Sequence, residues 1–299
     1  MLRPQGFITL PGPRPTEFDH GAFEANTGRV FVAHTAADAV EVIGAHTGRH
    51  ERTLVGHTEA AGVVAGGGQV AVTNRGAASL SIIDAATLTC RATVPTSPRP
   101  NGVALAPRRG VAIAACIGAE QTPPALDRVE LATGSRVTLP LPGRPRWCVV
   151  DATEDRLFCA IREPSMVLVV DLATFAEAAR WPLPSDGAHG VDIDPAAGRL
   201  YVACDGGSLV SLDVATGTAS GQWPLPGAPD ATFCNATSGR VHVAVGDPGV
   251  IVSVDTRTGQ VSTTATEVGA KTTAFAPPDR LFVFLPQRGG VLELWERPL

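Results

Sequence analysis

The sequence predicts an all-β protein in which one four-stranded unit recurs seven times. A short apolar strand motif returns at intervals of about 41 residues, and further strand-like segments accompany each copy. The chain is also rich in turn residues, with 32 glycines and 25 prolines among 299 residues. Because seven units of four strands are typical of a seven-bladed β-propeller, we expect a single domain of that architecture over residues 1–299.

The second strand of each unit is the most regular element. Its copies run apolar for about six residues after a turn, as a largely buried β-strand should. They are GRVFVAH (28–34), GQVAVTN (68–74), RGVAIAA (109–115), DRLFCAI (155–161), GRLYVAC (198–204), GRVHVAV (239–245) and DRLFVFL (279–285). An apolar first strand precedes each copy, as in NGVALAP and HGVDIDP.

A third strand follows and leads into a turn that begins with an acidic residue in most copies. This residue is Asp84, Asp171, Asp213 or Asp255 in four of them. A short carboxylate can accept backbone N–H bonds and stabilise a D-x-x-T-G turn, so we assign these aspartates a structural role. A fourth strand, such as ERTLV, RVTLPLP or GQWPLP, completes six of the units.

The two chain ends supply complementary parts of one unit. The seventh unit reaches Leu299 after its third strand, and the segment FITLPGPRP (7–15) matches the fourth-strand sequences TLPLPGRP and WPLPGAPD. We expect this N-terminal strand to complete the last blade, which closes the ring and covers a sheet edge.

These repeats resemble the YVTN family of β-propeller repeats. The resemblance rests on RPNGVALAP (99–107) and on the stretch from Gly187 to Gly217, GAHGVDIDPAAGRLYVACDGGSLVSLDVATG, and it spans nearly the whole chain. It implies the propeller fold but no particular activity, because propellers host unrelated chemistries. The architecture is also distantly similar to the seven-bladed 6-phosphogluconolactonases and the six-bladed gluconolactonases.

The residue at the start of each first strand departs from the repeat. In propellers of this kind the first strand is innermost, so its start lies at the mouth of the central channel. Successive copies are spaced by 41, 40, 46, 42, 41 and 41 residues. The residues at this position, the ring residues, are His20, Ala61, Asn101, Trp147, His189, Asp230 and Lys271. We therefore expect six large or polar side chains to meet at the channel mouth.

The ring residues predict a small-molecule site that has a divalent metal ion as one option. His20, His189 and Asp230 are the candidate catalytic residues, with an imidazole as general base, and the same three together with Asn101 are candidate metal ligands. Imidazole with carboxylate would suit Zn, Mn, Fe or Ni, and oxygen ligands alone would suit Ca or Mg. The similarity to gluconolactonases implies a cation at the channel mouth and metal-assisted hydrolysis of a lactone or ester, or related lyase or isomerase chemistry.

Further polar residues near the channel mouth are candidate ligand-binding groups. Cationic side chains would bind a carboxylate or phosphate, and Trp147 would stack on a ring. The candidate set is Asn101, Trp147, Lys271, Arg144, Arg162, His34 and His57. Neighbours expected on the same face are Glu17, Asp19, Glu59, Arg75, Arg146 and Asp205. The third unit has five extra residues within IGAEQTPPALD, which would form a partial lid on this face.

The alternative function is a non-catalytic YVTN-type scaffold or ligand-sensing propeller that binds a protein partner, so the sequence leaves open whether the protein is an enzyme. A net charge of −5 and a pI near 5.8 argue against nucleic acid. No apolar stretch reaches membrane-span length and the N-terminus lacks the apolar core of a signal peptide, so we expect a cytoplasmic protein without membrane contact.

The six cysteines show no metal or redox spacing, and we interpret them as reduced core residues. No CxxCH motif and no phosphate-binding glycine loop is present, so neither haem nor a nucleotide cofactor is indicated.

Overall fold

Seven four-stranded antiparallel sheets make up the computed structural model, which describes residues 2–296. The first strands of neighbouring sheets contact one another, and the series closes between the first and seventh sheets. The protein is therefore a seven-bladed β-propeller, and this prediction is confirmed. Within the described residues the one helical element is a 3-10 turn at Thr35–Ala37. No helix there is long and apolar enough to cross a membrane.

In six blades the strands follow chain order from the channel outward. The first blade consists of β2 (Gly21–Glu24), β3 (Arg29–His34), β4 (Ala39–Gly44) and β5 (Arg49–Val55). The second consists of β6 (Ala60–Gly66), β7 (Gln69–Asn74), β8 (Ser79–Asp84) and β9 (Cys90–Pro95). The third consists of β10 (Pro100–Ala106), β11 (Val111–Cys116), β12 (Ala125–Glu130) and β13 (Arg136–Pro140). The fourth blade consists of β14 (Pro145–Val150), β15 (Arg156–Ile161), β16 (Met166–Asp171) and β17 (Ala176–Pro182). The fifth consists of β18 (Ala188–Asp194), β19 (Arg199–Cys204), β20 (Ser208–Asp213) and β21 (Ala219–Pro224). The sixth consists of β22 (Pro229–Asn235), β23 (Arg240–Val245), β24 (Val250–Asp255) and β25 (Val261–Ala265).

The seventh blade is assembled from both ends of the chain. Its strands are β26 (Thr272–Ala276), β27 (Arg280–Leu285), β28 (Gly290–Glu296) and the N-terminal strand β1 (Leu2–Thr9). Strand β1 pairs antiparallel with β28, with Leu2 opposite Glu296 and Thr9 opposite Gly290. The predicted closure is confirmed, although β1 begins at Leu2 rather than Phe7; residues 297–299 of the predicted last strand lie outside the described residues.

The hydrophobic core is divided among the spaces between blades. Each of the seven apolar clusters found among residues 2–296 draws its residues from two neighbouring blades. The second strands carry fully buried aromatic side chains such as Phe31, Phe158 and Phe282. Because a blade packs against a neighbour on both faces, these strands have no solvent face. This packing explains their nearly unbroken apolar sequence.

The acidic turns have the structural role predicted from the sequence. Asp84 Oδ1 accepts the backbone N–H of Thr87 at 2.7 Å, and Asp171 Oδ1 accepts that of Thr174 at 2.8 Å. These backbone hydrogen bonds are the main cause that lowers the pKa of Asp171. Asp213 and Asp255 each accept the backbone N–H of the threonine three residues later at 3.1 Å.

The cysteines form no disulfide among the described residues. Four are buried, Cys234 is half-buried, and Cys90 on the outer strand β9 is exposed, so the predicted core role holds least for Cys90. Burial raises the pKa of the Cys204 thiol to about 12. Cys204 therefore lacks the thiolate character of a nucleophile, although it pairs with Ala188, the neighbour of His189, in the sheet.

Asp192 is a half-buried carboxylate on the innermost strand β18. Its Oδ2 accepts the backbone N–H of Cys234 at 2.7 Å. Burial raises the pKa of Asp192 to about 6 from an ordinary 3.8, and the backbone hydrogen bonds only partly oppose this. The folded protein therefore binds one more proton than the unfolded chain between pH 4 and pH 6, and its stability falls as the pH rises through that window.

The substitution Asp192→Asn is expected to stabilise the protein at pH 7.5 by about 1–2 kcal/mol and to have little effect below pH 4, because the amide has no charge to desolvate. Urea unfolding at the two pH values measures the difference. Asp171→Asn is the matched control, and it should destabilise at pH 7.5 because the pKa of Asp171 is lowered. Equal destabilisation by Asp192→Asn at both pH values would contradict the assignment.

Candidate functional site

Five of the seven ring residues lie at irregularities in the innermost strands, while His20 and Lys271 directly precede their own strands. In five blades the register between the first and second strands shifts at the ring residue. Such bulges turn a side chain away from the regular alternation of a strand. The shifts lie between Ala60 and Val63, Pro100 and Gly102, Pro145 and Cys148, Ala188 and Val191, and Pro229 and Thr232.

Two histidines from different blades form matching histidine–aspartate pairs at the channel mouth. His20 Nδ1 donates to Asp19 Oδ1 at 2.6 Å, and His189 Nδ1 donates to Asp205 Oδ1 at 2.7 Å. The His20 and His189 residues are 7% and 8% exposed. A carboxylate at Nδ1 fixes the orientation of an imidazole and leaves Nε2 to exchange protons.

Both Nε2 atoms face the same oxygen of Asp230. The distances to Asp230 Oδ1 are 3.7 Å from His20 and 3.5 Å from His189. His20 Nε2 is buried and has no hydrogen-bond partner among the described residues. The three predicted catalytic residues thus lie together, with two proton-exchanging nitrogens close to one carboxylate.

The first and fourth blades meet across the ring. The imidazole of His20 stacks on the indole of Trp147, with ring centroids 3.9 Å apart and an angle of 2° between the planes. This contact holds one face of His20 against a rigid aromatic surface. In this structure the predicted stacking surface of Trp147 is therefore occupied by His20.

Basic side chains bind the outer oxygens of the same aspartates. Arg75 donates to Asp19 Oδ2 at 2.6 Å, and Arg162 Nε lies 2.9 Å from Asp205 Oδ2. Burial alone would raise the pKa of Asp205, but the hydrogen bond from His189 and nearby positive charges, including Arg162, lower it. Lys271 Nζ lies 3.8 Å from Asp230 Oδ2. Each aspartate therefore joins a histidine to a permanent cation.

Two arginines before the fourth blade have no such partner. Among the described residues, the side chains of Arg144 and Arg146 form no ion pair or hydrogen bond, and their Nε atoms are buried. Burial lowers the pKa of Arg144, and the neighbouring charge of Arg146 lowers it further. Burial also lowers the pKa of Arg146, although the nearby charges of Asp230 and Asp205 act in the opposite direction.

Two adjoining cavities occupy the channel mouth. The smaller has a volume of about 130 Å³ and is lined by Glu17, Asp19, His20, Arg75, Arg99, Asn101, Ile117, Arg144, Arg146, His189, Asp230 and Lys271. The larger has a volume of about 670 Å³ and is lined by Arg146, Arg162, His189, Asp205, Ala228, Pro229, Asp230, Gly246, Asp247, Val268, Gly269 and Lys271. A separate cavity of about 560 Å³, lined by the fifth blade and the segment that precedes it, has Asp186 as its one ionisable lining residue.

The predicted metal ligands do not form a cation site. His20, His189 and Asp230 converge, but Asn101 Oδ1 accepts an N–H of Arg75 at 2.7 Å. Across residues 2–296 no group of three or more His, Cys, Asp or Glu side chains is arranged to hold a metal ion. The surrounding guanidinium groups also repel a divalent cation. The residues present therefore do not fit such an ion, and the metal stays a prediction from the sequence.

Two predicted ligand-binding histidines lie away from the channel mouth. His34 donates from Nδ1 to Glu41 Oε1 at 2.8 Å and accepts from Thr16 Oγ1 at 2.7 Å at Nε2. His57 is buried and donates from Nδ1 to Asn74 Oδ1 at 3.1 Å. Neither lines the two mouth cavities, so the structure does not bring them together with the other candidate residues.

A second set of repeat positions contributes to the site more than the sequence analysis recognised. The residue directly after the second strand lines one of the mouth cavities in five blades, as Arg75, Ile117, Arg162, Asp205 and Gly246. Ile117 is also the first residue of the predicted lid segment. Two charged lining residues, Arg99 and Asp247, were absent from the prediction. The available signals were their places two residues before Asn101 and two residues after the second strand of the sixth blade.

No family model and no curated protein sequence matches the chain. Its fold is similar to that of solved structures with very different sequences. Hydrazine synthase from Kuenenia stuttgartiensis matches with a TM-score of 0.83 and 14% identity, over 96% of this chain and 97% of that chain. Streptogramin B lyase matches with a TM-score of 0.82 and 13% identity, over 98% and 97%. A chain of the mitotic checkpoint complex matches with a TM-score of 0.83 and 13% identity, over 99% and 92%.

Such low identities establish the propeller fold and nothing about activity. The assignment to the YVTN repeat family remains a prediction from the sequence.

Proposed function

We propose that this propeller is an enzyme that acts on a small molecule at the channel mouth, with His189 and His20 as a general acid–base pair. The observation that supports the proposal is the convergence of both Nε2 atoms on Asp230 Oδ1, at 3.5 and 3.7 Å, beside a cavity of about 670 Å³. Each imidazole is oriented by a carboxylate at Nδ1, as in the acid–base residues of many hydrolases.

The reaction we assign to this pair is the opening of an ester or lactone. His189 Nε2 takes a proton from water while the water oxygen adds to the carbonyl carbon. His20, as imidazolium, gives a proton to the leaving oxygen when the carbon–oxygen bond breaks. Arg146 lines both cavities, and its N–H groups can stabilise the oxygen that becomes anionic. The two histidines then restore their starting protonation by transferring one proton between them beside Asp230.

A screen of esters and lactones, with pH-indicator detection of acid release, tests the proposal. His189→Gln and His20→Gln are each expected to lower kcat/KM by about 10²–10⁴-fold, because each removes one proton-transfer group. His46→Gln is the matched control, since His46 is exposed and lines neither mouth cavity. Unchanged kcat/KM in both site variants would refute the acid–base role.

The product distinguishes hydrolysis from a lyase reaction. Hydrolysis in ¹⁸O-labelled water places one labelled oxygen in the acid product, whereas elimination places none. One of the similar structures is a lyase by its name, so elimination is the reaction to separate first.

Surface composition favours this site over a protein-binding scaffold. The exposed large hydrophobic side chains in the described part of the chain are spread over several blades, as Phe7, Val55, Val137, Val261 and Val268. A protein interface is expected to gather such side chains into one patch.

A further inference from the structure

The smaller mouth cavity is positively charged in a protein whose net charge is −5. Five cationic side chains line it, against three carboxylates. The cations are Arg75, Arg99, Arg144, Arg146 and Lys271, and the carboxylates are Glu17, Asp19 and Asp230. An excess of fixed positive charge in a recessed site attracts anions and repels cations.

The excess resides in the arginines that lack partners. Arg75 is committed to Asp19 and Asn101, at 2.6 and 2.7 Å. Arg144 and Arg146 have no ion pair or hydrogen bond from their side chains among the described residues, and their Nε atoms are buried. Partly buried guanidinium groups without an acceptor are destabilising, both through lost hydration and through mutual repulsion. Such an arrangement is stable when a ligand supplies the missing acceptor oxygens.

The shape of the site indicates a ligand with two parts. A volume of about 130 Å³ fits a compact group such as a carboxylate or phosphate. The adjoining cavity of about 670 Å³ has less polar walls at Ala228, Pro229 and Val268. His189 and Asp230 line both cavities, so the proposed general base lies where the two parts of a ligand would join, while His20 lines the smaller cavity.

We propose that the ligand of this site is an organic anion whose carboxylate or phosphate is bound by Arg144 and Arg146 and whose body occupies the larger cavity. This deepens the proposed function, since it defines the substrate class of the same site. Guanidinium groups bind both kinds of anion through paired N–H···O bonds.

Isothermal titration with benzoate, phenyl phosphate, inorganic phosphate and the neutral benzamide tests the proposal. We expect benzoate or phenyl phosphate to bind at least tenfold more tightly than benzamide, with affinity that falls as salt is added. The stronger of the two identifies the anionic group. Tighter binding of phenyl phosphate than of inorganic phosphate would place the body in the larger cavity. If neither benzoate nor phenyl phosphate bound more tightly than benzamide, the proposal would be overturned.

The Arg144→Gln and Arg146→Gln variants separate ligand binding from folding. Each is expected to lower anion affinity at least tenfold. Arg144→Gln should leave the melting temperature of the free protein unchanged or higher, because the repulsion from Arg146 and Arg162 is removed. Arg146→Gln also removes an attraction to Asp230 and Asp205, so anion affinity alone is its test. Arg257→Gln, at an exposed arginine outside both mouth cavities, should change neither the anion affinity nor the melting temperature. A lower melting temperature with unchanged anion affinity would assign the two arginines a purely structural role.

The two proposals fail in different ways. His189→Gln should lose turnover and keep benzoate binding. Selective anion binding without turnover of any ester or lactone would leave the ligand class standing and remove the enzymatic proposal. Turnover of neutral substrates with no preference for anions would leave the enzymatic proposal standing and remove the proposed ligand class.

Discussion

Deletion of residues 1–10 is expected to abolish the cooperative unfolding of the ring and to cause aggregation. Strand β1 lies between two interblade cores, because Leu2 packs between the sixth and seventh blades while Ile8 and Leu10 pack between the seventh and first. Loss of three large buried side chains removes on the order of 5–9 kcal/mol of hydrophobic stabilisation. That amount is comparable with the whole stability of a typical domain. The deletion also exposes the edge of β28.

Differential scanning calorimetry and size-exclusion chromatography of the truncated protein measure this effect. Within β1, Ile8→Ala should destabilise by about 2–5 kcal/mol, whereas Gln5→Ala, at an exposed position, should change little. A circular permutant with the chain ends joined by a short linker and the chain opened at Pro13 should retain the melting transition, since it keeps the strand in place. A truncated protein that stays monomeric with an unchanged melting temperature would show that closure by β1 is dispensable.

The fold was predictable because its information is local and repeated. Burial of both blade faces imposes an apolar second strand seven times, and the acidic turns mark where the third strands end. The start of β1 was missed because residues 3–6 are exposed and show no apolar alternation. The first part of β1 is bound mainly through backbone hydrogen bonds to β28. Such bonds do not depend on side chains, so they leave no pattern in the sequence.

The site was predictable in position but not in pairing. Equivalent positions of a repeat come to equivalent places, so the ring residues could be assigned to one mouth. The stack of His20 on Trp147 crosses from the first blade to the fourth, and no sequence spacing encodes that contact. The sequence did not show that His34 lies apart from the mouth cavities, because neighbouring strand residues point to opposite faces. The side chain of His34, the last residue of its second strand, contacts Glu41 on the next strand. In five other blades the residue after the second strand lines a mouth cavity.

Gly190→Ala is expected to impair the proposed activity while leaving every titratable residue of the site in place. A Cβ at Gly190 would overlap the carbonyl oxygen of Asp230 and Oγ1 of Thr232 on β22. Glycine thus lets β18 approach β22 closely enough for His189 and Asp230 to meet. Gly62 allows the same close approach to the carbonyl oxygen of Asn101, and Gly102 allows it to the carbonyl oxygen of Arg146. The recurring residue-plus-glycine pairs of the first strands, such as His189-Gly190, follow from this geometry.

The added methyl group should force the two innermost strands apart, with a loss of about 1–3 kcal/mol in stability from overpacking. A shift of about 1 Å between His189 and Asp230 should lower kcat/KM by roughly 10²-fold. Gly66→Ala is the matched control, because its new Cβ would lie 3.7 Å from Pro107 Cγ, an ordinary contact. Urea unfolding and steady-state kinetics of both variants measure these effects. Equal losses of stability and of kcat/KM in Gly190→Ala and Gly66→Ala would mean that the close approach at Gly190 does not position His189.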